Sequence, residues 1–336
     1  MASDVRPIIM RLLAILSLPM LTPAIASDSY ARHPAAPAFV QEMSERHGFA
    51  ADELRALLAQ VRPLPAVLRL IAPPADPAAV RSWQRYRAHF VEPRRIEAGK
   101  RFWRQHAASL ARTSARSGVP AEIIVAIIGV ETVYGANVGR FPTFAALATL
   151  TFDYPPRAPL FRRELEALLL LAREQGRSPL AYRGSYAGAL GLPQFLPSSI
   201  RAYAVDGDGD GRIDLFASTD DVIASVANFL TRHGWQEGGP IALPARIDAD
   251  IADVTALLAE GIEPRRRPAE MPGIVADTPG PAPDEAAALI DLVTPGEATE
   301  YWLGYRNFYV LTRYNRSSFY AMSVFRLAEA LRTNAP

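Results

Sequence analysis

The most constraining feature of this sequence is the stretch from Gly118 to Gly135, which is GVPAEIIVAIIGVETVYG. Pro120 favours the start of a helix, because a proline in the first turn loses no hydrogen bond that the helix needs. The residues at 123–130 are apolar on every side, and a helix that is apolar all round is buried. The stretch therefore predicts one helix that lies in the protein interior.

A single acidic residue, Glu131, stands at the end of this helix. It carries the only charged side chain between Glu122 and Arg140. A carboxylate against an apolar helix is costly unless it is protonated or paired, and desolvation raises the pKa of a carboxyl group. A glutamic acid with a raised pKa is the general acid that cleavage of a glycosidic bond requires. Glu131 is therefore a candidate catalytic acid; the alternative is a carboxylate that caps the helix end or pairs with an arginine.

Composition restricts the class of protein. The chain has 336 residues, enough for two or three packed units with a sizeable core. Its net charge of +1 argues against a nucleic-acid partner and against electrostatic docking to a membrane. The chain contains no cysteine, which excludes disulfides, thiolate nucleophiles and cysteine-bound metals. No motif indicates an organic cofactor, and we expect none.

The first 26 residues have the pattern of a secretory signal. Arg6 and Arg11 precede an apolar stretch from Leu12 to Leu21, which is too short to span a bilayer. A cleavage site of the A-x-A type follows and ends at Ala26. The pattern predicts an exported, periplasmic protein that is soluble after cleavage and has no stable membrane anchor. An uncleaved N-terminal anchor and a disordered tail are the alternatives.

Hydrophobic periodicity predicts a mainly α fold with one irregular segment. Leu54, Leu57 and Leu58 recur at helical spacing, whereas a short β-like stretch at 241–251 precedes a run interrupted by prolines. We expect a signal peptide at 1–26, a flexible leader at 27–37, a helical domain at 38–117, a core with Glu131 at 118–236, a small Pro-rich, β-containing insert at 237–299, and the rest of the core at 300–336.

The segment 184–195, GSYAGALGLPQF, contains three glycines within eight residues. Glycines let a backbone approach another group closely. The segment has neither the G-x-S-x-G pattern of a nucleophile elbow nor the G-K-[ST] end of a phosphate loop. A close approach to a ligand and an ordinary packed turn both stay open as interpretations.

The segment 206–214, DGDGDGRID, matches the first half of an EF-hand calcium loop. Acidic residues occupy loop positions 1, 3 and 5, with glycine at 6 and an apolar residue at 8. Alternating carboxylates can converge on one hard cation, and Arg212 would contribute its backbone carbonyl. Position 12 is Ala217 instead of glutamate, so a closing carboxylate must come from Asp220 or Asp221. The pattern predicts a calcium ion; an acidic turn without metal is the alternative.

Six segments together resemble the membrane-bound lytic transglycosylase B family of bacterial peptidoglycan-cleaving enzymes. They follow the family's order from about Trp83 to Leu331, whereas the N-terminal region and the insert match loosely. The segments are GVPAEIIVAIIGVETVYG, FDYPPRA, GSYAGALGLPQFLPSS, AVDGDGDGRIDL, SVANFLTRHGW and NFYVLTRYNRSSFYAM.

The resemblance implies a lysozyme-like helical core with an added N-terminal helical domain and a small β domain. It implies cleavage of the β-1,4 bond between N-acetylmuramic acid and N-acetylglucosamine without water, which leaves a 1,6-anhydro sugar. Glu131 matches the family's catalytic glutamate, which first protonates the glycosidic oxygen and then takes the proton of the sugar's own C6 hydroxyl. One carboxylate suffices for this chemistry, because the nucleophile is tethered in the substrate.

Matching positions also imply the other site residues. Ser185 and Gln194 match groove residues that hydrogen-bond the sugars and their acetamido groups. The acidic loop matches a structural calcium loop, with Asp221 favoured over Asp220 as the closing ligand. The implied calcium ligands are Asp206, Asp208, Asp210, the Arg212 carbonyl and Asp221, and the implied groove lining is Tyr86, Tyr154, Arg157, Tyr314 and Asn315.

Two other functions stay open from the sequence. The first is a muramidase that hydrolyses the same bond and uses Asp153 or another acid to activate water, since hydrolases of this kind usually need two carboxylates. The second is a non-catalytic protein that binds peptidoglycan as a scaffold. In each case the expected partners are glycan strands, together with proteins of cell-wall synthesis or division.

Overall fold

The computed structural model describes residues 29–73, 81–248 and 251–333, so the predicted signal peptide lies outside the described residues. Fourteen α-helices dominate this described part of the chain. They are α1 (Ala36–His47), α2 (Ala51–Ala59), α3 (Pro65–Ile71), α4 (Trp83–Phe90), α5 (Pro93–Gln105), α6 (Ala107–Ser117), α7 (Ala121–Thr132), α8 (Thr143–Phe152), α9 (Ala158–Glu174), α10 (Pro197–Tyr203), α11 (Thr219–Arg232), α12 (Ile251–Ala259), α13 (Arg306–Tyr314) and α14 (Ser318–Arg332).

Helix α7 is the buried helix that the sequence predicts. Every residue from Ile123 to Val130 is buried, as is Thr132. The helix packs chiefly against α14 and also contacts α5, α6 and α11. Each fully buried isoleucine on it contributes roughly 1.5–3 kcal/mol of hydrophobic stabilisation. The prediction of an interior helix is confirmed, and α7 places its last turn inside the protein instead of at the surface.

Six short strands form two separate sheets. Four of them make an antiparallel sheet in the order β4-β3-β6-β5, which packs on α12 and has its own small apolar core, including Val254, Met271 and Leu303. The other two form a ribbon. The strands are β1 (Phe141–Pro142), β2 (Arg183–Gly184), β3 (Ala242–Ile247), β4 (Ile274–Ala276), β5 (Ala288–Leu292) and β6 (Glu300–Gly304).

The β-containing insert extends further than the sequence predicts. Strand β6 lies beyond the expected boundary at residue 299, and its pairing with β3 and β5 continues the sheet to Gly304. Helix α12 was not expected within this segment. Strand pairing depends on partners distant in sequence, which a local hydrophobic pattern does not reveal.

The start of the described chain also differs from the prediction of a flexible leader. Tyr30 is 1% exposed, and its hydroxyl donates a hydrogen bond to Oδ2 of Asp153 at 2.5 Å. Helix α1 begins at Ala36, within the segment expected to be a leader. A tyrosine that buries its ring and satisfies its hydroxyl fixes the chain around it, and this long-range contact outweighs the polar, proline-containing character of the segment.

The ribbon of β1 and β2 determines where the glycine-rich segment lies. Phe141 pairs with Gly184, so the beginning of the segment 184–195 is fastened to the chain that follows α7. Further along the segment, the carbonyl of Leu192 accepts a hydrogen bond from the hydroxyl of Thr132, in the last turn of α7, at 3.0 Å. The segment therefore lies beside the end of the buried helix.

Among the described residues, no single helix is both long enough and apolar enough to cross a bilayer. Helices α6 and α7 meet both criteria only when they are taken together, and the chain bends by 115° at the break between them.

Candidate active site

The carboxyl group of Glu131 lies at the C-terminal end of α7 and is partly buried. Burial raises its pKa to about 7, and a hydrogen bond from Tyr320 partly opposes this rise. The last turn of a helix also disfavours negative charge, because the unpaired carbonyl groups point there. Among the described residues, no basic side chain forms an ion pair with Glu131, so the alternative of an arginine partner has no support in the structure. The site thus holds a carboxyl group that can carry a proton near neutral pH.

Tyr320, on α14, is the direct partner of Glu131. Its hydroxyl donates to Oε1 of Glu131 at 2.6 Å, and its side chain is 3% exposed. Oε2 accepts no hydrogen bond from any described residue. A proton on the carboxyl group therefore belongs on Oε2, while Oε1 receives the tyrosine hydroxyl. Local sequence does not single out Tyr320 as a site residue, although it lies within one of the six matching segments and its helix begins after the cap Ser317.

Two further tyrosines stand close enough for the charge of Glu131 to act on them. Burial, and secondarily the charge of Glu131, raises the pKa of Tyr86 to about 12 and raises the pKa of Tyr314 well above its ordinary value. The rings of Tyr314 and Tyr320 are stacked, with 6.3 Å between centroids and 14° between planes. The structure therefore places two of the predicted groove residues, Tyr86 and Tyr314, around the carboxyl group.

Tyr314 also holds the glycine-rich segment against this cluster. Its hydroxyl donates to the carbonyl of Pro193 at 2.6 Å, and its ring packs on those of Phe195 and Phe229. These contacts use the tyrosine hydroxyl as a donor. What Tyr314 offers a ligand is therefore the face or the edge of its ring.

Ser185 and Gln194 shape the glycine-rich segment and keep polar atoms available. The Oγ of Ser185 accepts hydrogen bonds from the amides of Ala187 and Ala189, at 3.3 and 3.0 Å. The Nε2 of Gln194 donates to two backbone carbonyls, at 2.9 and 3.2 Å. No described residue accepts the hydroxyl proton of Ser185 or donates to Oε1 of Gln194. One free donor and one free acceptor therefore remain on this segment, which suits the recognition of a sugar amide.

The other three predicted groove residues are not joined to the carboxyl cluster. Tyr154 is partly buried, and Arg157 is exposed with its guanidinium 5.4 Å from the centroid of the Phe161 ring. Asn315 is exposed immediately after α13. Within the described residues, no hydrogen bond or ring contact links these three to Glu131 or to its tyrosines.

Asp153, the candidate second carboxylate of a hydrolase, has other partners. Tyr30 donates to its Oδ2, and Nε2 of His33 lies 3.6 Å from its Oδ1. Both partners belong to the N-terminal segment. The structure thus uses Asp153 to anchor that segment, and no described hydrogen bond connects it with Glu131.

The acidic loop brings together three of its predicted ligands. Oxygens of Asp206, Asp208 and Asp210 lie within 4.8 Å of one another on the exposed loop. Asp206 accepts hydrogen bonds from the amides of Gly211 and Gly209, which hold its pKa below the ordinary value. Three carboxylates at this separation repel one another unless a cation neutralises them, and oxygen ligands of this kind suit a hard ion such as calcium.

Asp221 fastens the acidic loop through hydrogen bonds to its backbone. It is 1% exposed, and its two oxygens accept hydrogen bonds from the amides of Gly207 and Asp214, at 2.8 and 2.7 Å. Asp220 instead faces Arg112 at 3.1 Å. Asp221 therefore fastens both ends of the loop and is not one of the three converging carboxylates; its ligation of a metal, like that of the Arg212 carbonyl, stays a prediction.

Comparison with known proteins gives the same assignment across nearly the whole chain. A family model described as a transglycosylase SLT domain matches residues 31–329. The membrane-bound lytic murein transglycosylase B of Escherichia coli (strain K12) is 39% identical over 319 residues, which are 90% of this chain and 84% of that protein.

Solved structures agree with this match. The lytic transglycosylase SltB1 from Pseudomonas aeruginosa superposes with a TM-score of 0.83 at 44% identity, covering 90% of this chain and 99% of that chain. The Escherichia coli lytic transglycosylase Slt35 in complex with calcium superposes with a TM-score of 0.76 at 38% identity, covering 90% of this chain and 94% of that chain. SltB3 from Pseudomonas aeruginosa in complex with NAG-anhNAM-pentapeptide superposes with a TM-score of 0.75 at 31% identity, covering 91% of this chain and 80% of that chain.

These matches confirm the fold class expected from the six segments, a lysozyme-like helical core with an added helical domain and a small β-containing insert. They also confirm the resemblance itself and the expectation of an enzyme. The chain belongs to the SLT-domain family of peptidoglycan lytic transglycosylases.

Proposed function

We propose that this enzyme cleaves the β-1,4 bond between N-acetylmuramic acid and N-acetylglucosamine without water and leaves 1,6-anhydro ends. Glu131 acts alone, first as the acid and then as the base. The observation that carries the proposal is the carboxyl group of Glu131, whose pKa is raised to about 7 and whose Oε1 is held by Tyr320.

The geometry supports a complete proton cycle on one carboxyl group. The proton on Oε2 passes to the glycosidic oxygen as the bond to C1 breaks, and the leaving sugar departs as a neutral alcohol. The carboxylate then accepts the proton of the C6 hydroxyl, whose oxygen forms the new bond to C1. The enzyme returns to its starting protonation state, so no water is consumed. The hydroxyl of Tyr320 stabilises the carboxylate between the two steps, because a donor to a charged acceptor makes a strong hydrogen bond.

The arrangement of the other carboxylates favours this cycle over hydrolysis. Hydrolases of glycosidic bonds place two carboxyl groups about 5–9.5 Å apart. Glu122 is nine residues before Glu131 on the same helix, which corresponds to roughly 13 Å along the axis. Asp153 is engaged by Tyr30 and His33. A tethered C6 hydroxyl needs no second carboxylate, since its effective concentration is already high.

The polar atoms of the glycine-rich segment provide the contacts to the substrate. We assign the hydroxyl of Ser185 to a sugar or acetamido oxygen and Oε1 of Gln194 to an acetamido N–H. The rings of Tyr86 and Tyr314 line the groove beside the scissile bond. Tyr154, Arg157 and Asn315 belong to more distant parts of the groove, with Arg157 facing a carboxylate of the peptide stem or the lactyl group. The complex of SltB3 with NAG-anhNAM-pentapeptide supports this substrate class.

The acidic loop binds one structural calcium ion through Asp206, Asp208 and Asp210, with the Arg212 carbonyl and Asp221 completing the site. The convergence of the three carboxylates and the calcium complex of Slt35 support this assignment. When bound, the ion neutralises the loop and stabilises the fold. The loop carries none of the groups assigned here to the proton cycle.

The substrate also supports a location outside the cytoplasm. Peptidoglycan lies beyond the inner membrane, and the signal pattern that ends near Ala26 predicts export to the periplasm.

The experiment that tests this proposal compares the mature protein with Glu131→Gln on purified sacculi. Glutamine has the same shape and can accept the Tyr320 hydrogen bond, but it cannot donate a carboxyl proton. We expect turnover to be lost while binding to glycan strands is retained. Turnover by the variant would rule out the acid role of Glu131, and binding without turnover by both proteins would instead support a non-catalytic scaffold.

A further inference from the structure

The turn that follows Glu131 has a strained backbone. Val133 and Tyr134 both adopt positive φ angles, 52° and 57°, in the left-handed region. A β-branched residue such as valine rarely occupies this region, and such strain persists only where the surroundings hold it. The strain begins two residues after the catalytic carboxyl group. Whatever holds this turn therefore also fixes the last turn of α7.

The side chain of Thr132 makes the contacts that hold the turn. Thr132 is fully buried, and its hydroxyl lies 3.0 Å from the carbonyl of Leu192 and 3.3 Å from the carbonyl of Ile128 in its own helix. The nearer carbonyl, that of Leu192, is the better acceptor for its single proton. The hydroxyl oxygen also accepts the amide of Gly135 at 3.1 Å. The carbonyl of Thr132 accepts the amide of Asn137 at 2.9 Å. One hydroxyl group thus joins the strained turn to the glycine-rich segment that carries the substrate contacts.

Leu192 is itself held from the other side. Its amide donates to the carbonyl of Leu215 at 3.0 Å. The preceding Gly191 has a φ of 67°, and a Cβ at this position would collide with that carbonyl oxygen. The glycine therefore permits the close approach. The backbone of Leu192 is therefore held by two hydrogen bonds: its amide donates to Leu215, and its carbonyl accepts the hydroxyl of Thr132.

We propose that Thr132 is a positioning residue, which keeps the carboxyl group of Glu131 aimed at the scissile bond by anchoring the end of α7 to Leu192. This inference rests on the proposed function of Glu131. Without the hydroxyl, the strained turn relaxes, Oε2 moves relative to a substrate bound on the segment 184–195, and water gains access to the carboxyl group. In that case kcat and the pH profile of kcat/KM should change, while KM should stay nearly the same.

The test compares Thr132→Val, which keeps the side-chain shape, with Thr132→Ser, which keeps the hydroxyl. The matched control is Thr149→Val. Thr149 is also a fully buried threonine in a helix; its hydroxyl donates to the carbonyl of Ala145 at 2.8 Å and accepts the amide of Leu64 at 3.1 Å, away from the site. Measurements are kcat, KM, the pH profile of kcat/KM on soluble glycan strands, and the melting temperature.

We expect T132V to lower kcat about 10- to 100-fold, since small displacements of a reacting group have effects of this size, with KM changed by less than about twofold. The alkaline limb of its pH profile should move to lower pH, because a hydrated carboxyl group has a lower pKa. T132S should restore both properties. T149V should lower the melting temperature and leave the pH profile unchanged.

Three results would overturn the inference: a T132V enzyme with normal kcat and pH profile, a T132S enzyme as impaired as T132V, or a T149V enzyme with the same shift in pH profile. If T132V does not fold, Thr132→Ala replaces it, because the smaller side chain leaves room for a bridging water. The variant Glu131→Gln distinguishes a failure of the proposed function of Glu131 from a failure of the proposed role of Thr132. An active E131Q enzyme rejects the role of Glu131, whereas an inactive E131Q beside a normal T132V rejects only the role of Thr132.

Discussion

The hydroxyl of Tyr320 donates a hydrogen bond to Oε1 of Glu131 at 2.6 Å, across 189 positions of sequence. The bond joins the end of the buried helix α7 to the first turn of α14. It leaves Oε2 as the oxygen that carries and accepts protons. It also sets two opposing influences on one carboxyl group, because burial favours the neutral form while the tyrosine favours the charged form.

Replacing Tyr320 by phenylalanine should change activity in two ways. The pKa of Glu131 should rise, because the hydrogen bond that lowers it is lost, and the alkaline limb of the pH profile should therefore move to higher pH. At the same time kcat should fall about 10- to 100-fold, since a hydrogen bond to a charged group contributes about 1.5–3 kcal/mol. Measurements of kcat and of the pH dependence of kcat/KM check both expectations. An alkaline limb at the same pH as in the wild type would contradict the assignment of Tyr320 as the hydrogen-bond partner of Glu131.

The raised pKa of Glu131 predicts a pH-dependent stability difference between the wild type and E131Q. In the unfolded chain the carboxyl group loses its proton near its ordinary pKa of 4.5, and in the folded protein its pKa is about 7. The folded state therefore holds the proton more tightly. Below about pH 4.5 the ionisation of Glu131 should not affect the free energy of unfolding of the wild type, and this free energy should fall as the pH rises from 4.5 to 7.

The E131Q variant has no carboxyl group to ionise, so its stability should not fall over this pH range. Its free energy of unfolding should exceed that of the wild type by up to about 3 kcal/mol at pH 8 and be similar at pH 4. Melting curves of both proteins across this range check the expectation. A difference in melting temperature that is the same at pH 4 and pH 8 would show that Glu131 does not have a raised pKa.

Much of this site is predictable from local sequence. Glu131 is conspicuous because it is the one charge at the end of an apolar helix, and the three carboxylates of the acidic loop follow from their spacing. Tyr320 is not predictable in this way. Helical periodicity places it on the buried face of α14, which is correct, but a buried tyrosine that packs and one that binds a carboxyl group have the same pattern. Strand β6 is not evident from the sequence for a related reason, since its partners are distant in sequence.

Asp153→Asn should leave the rate of glycan cleavage unchanged within about twofold. Its carboxylate is used by Tyr30 and His33, so the expected effect is a lower melting temperature. Activity on sacculi together with thermal unfolding checks this. A loss of activity in a folded variant would support the muramidase alternative, in which this carboxylate activates water.

Calcium should raise the melting temperature of the wild type, because a ligand that binds only the folded state stabilises it by about 2.7 kcal/mol at one hundred times its Kd. Asp208→Asn should abolish this response and should not lower the melting temperature without calcium, because it removes one of three like charges that repel one another. The exposed Asp52 lies outside the loop, and Asp52→Asn should respond to calcium as the wild type does. An identical response in D208N would contradict the proposed site.

Asp221→Ala should behave differently from D208N. It removes the buried carboxylate that accepts the amides of Gly207 and Asp214, and a hydrogen bond to a charged group contributes about 1.5–3 kcal/mol. The variant should therefore be destabilised even when calcium is removed by a chelator. A D221A protein as stable as the wild type in chelator would show that Asp221 does not fasten the loop.

Mass spectrometry of muropeptides released from purified sacculi tests whether a single carboxyl group cleaves the glycan without water. We predict that the wild type releases products lighter by one water, with non-reducible 1,6-anhydro ends, and that E131Q releases none. Products with reducing ends would contradict this prediction, because they would require an attacking water and a second catalytic group.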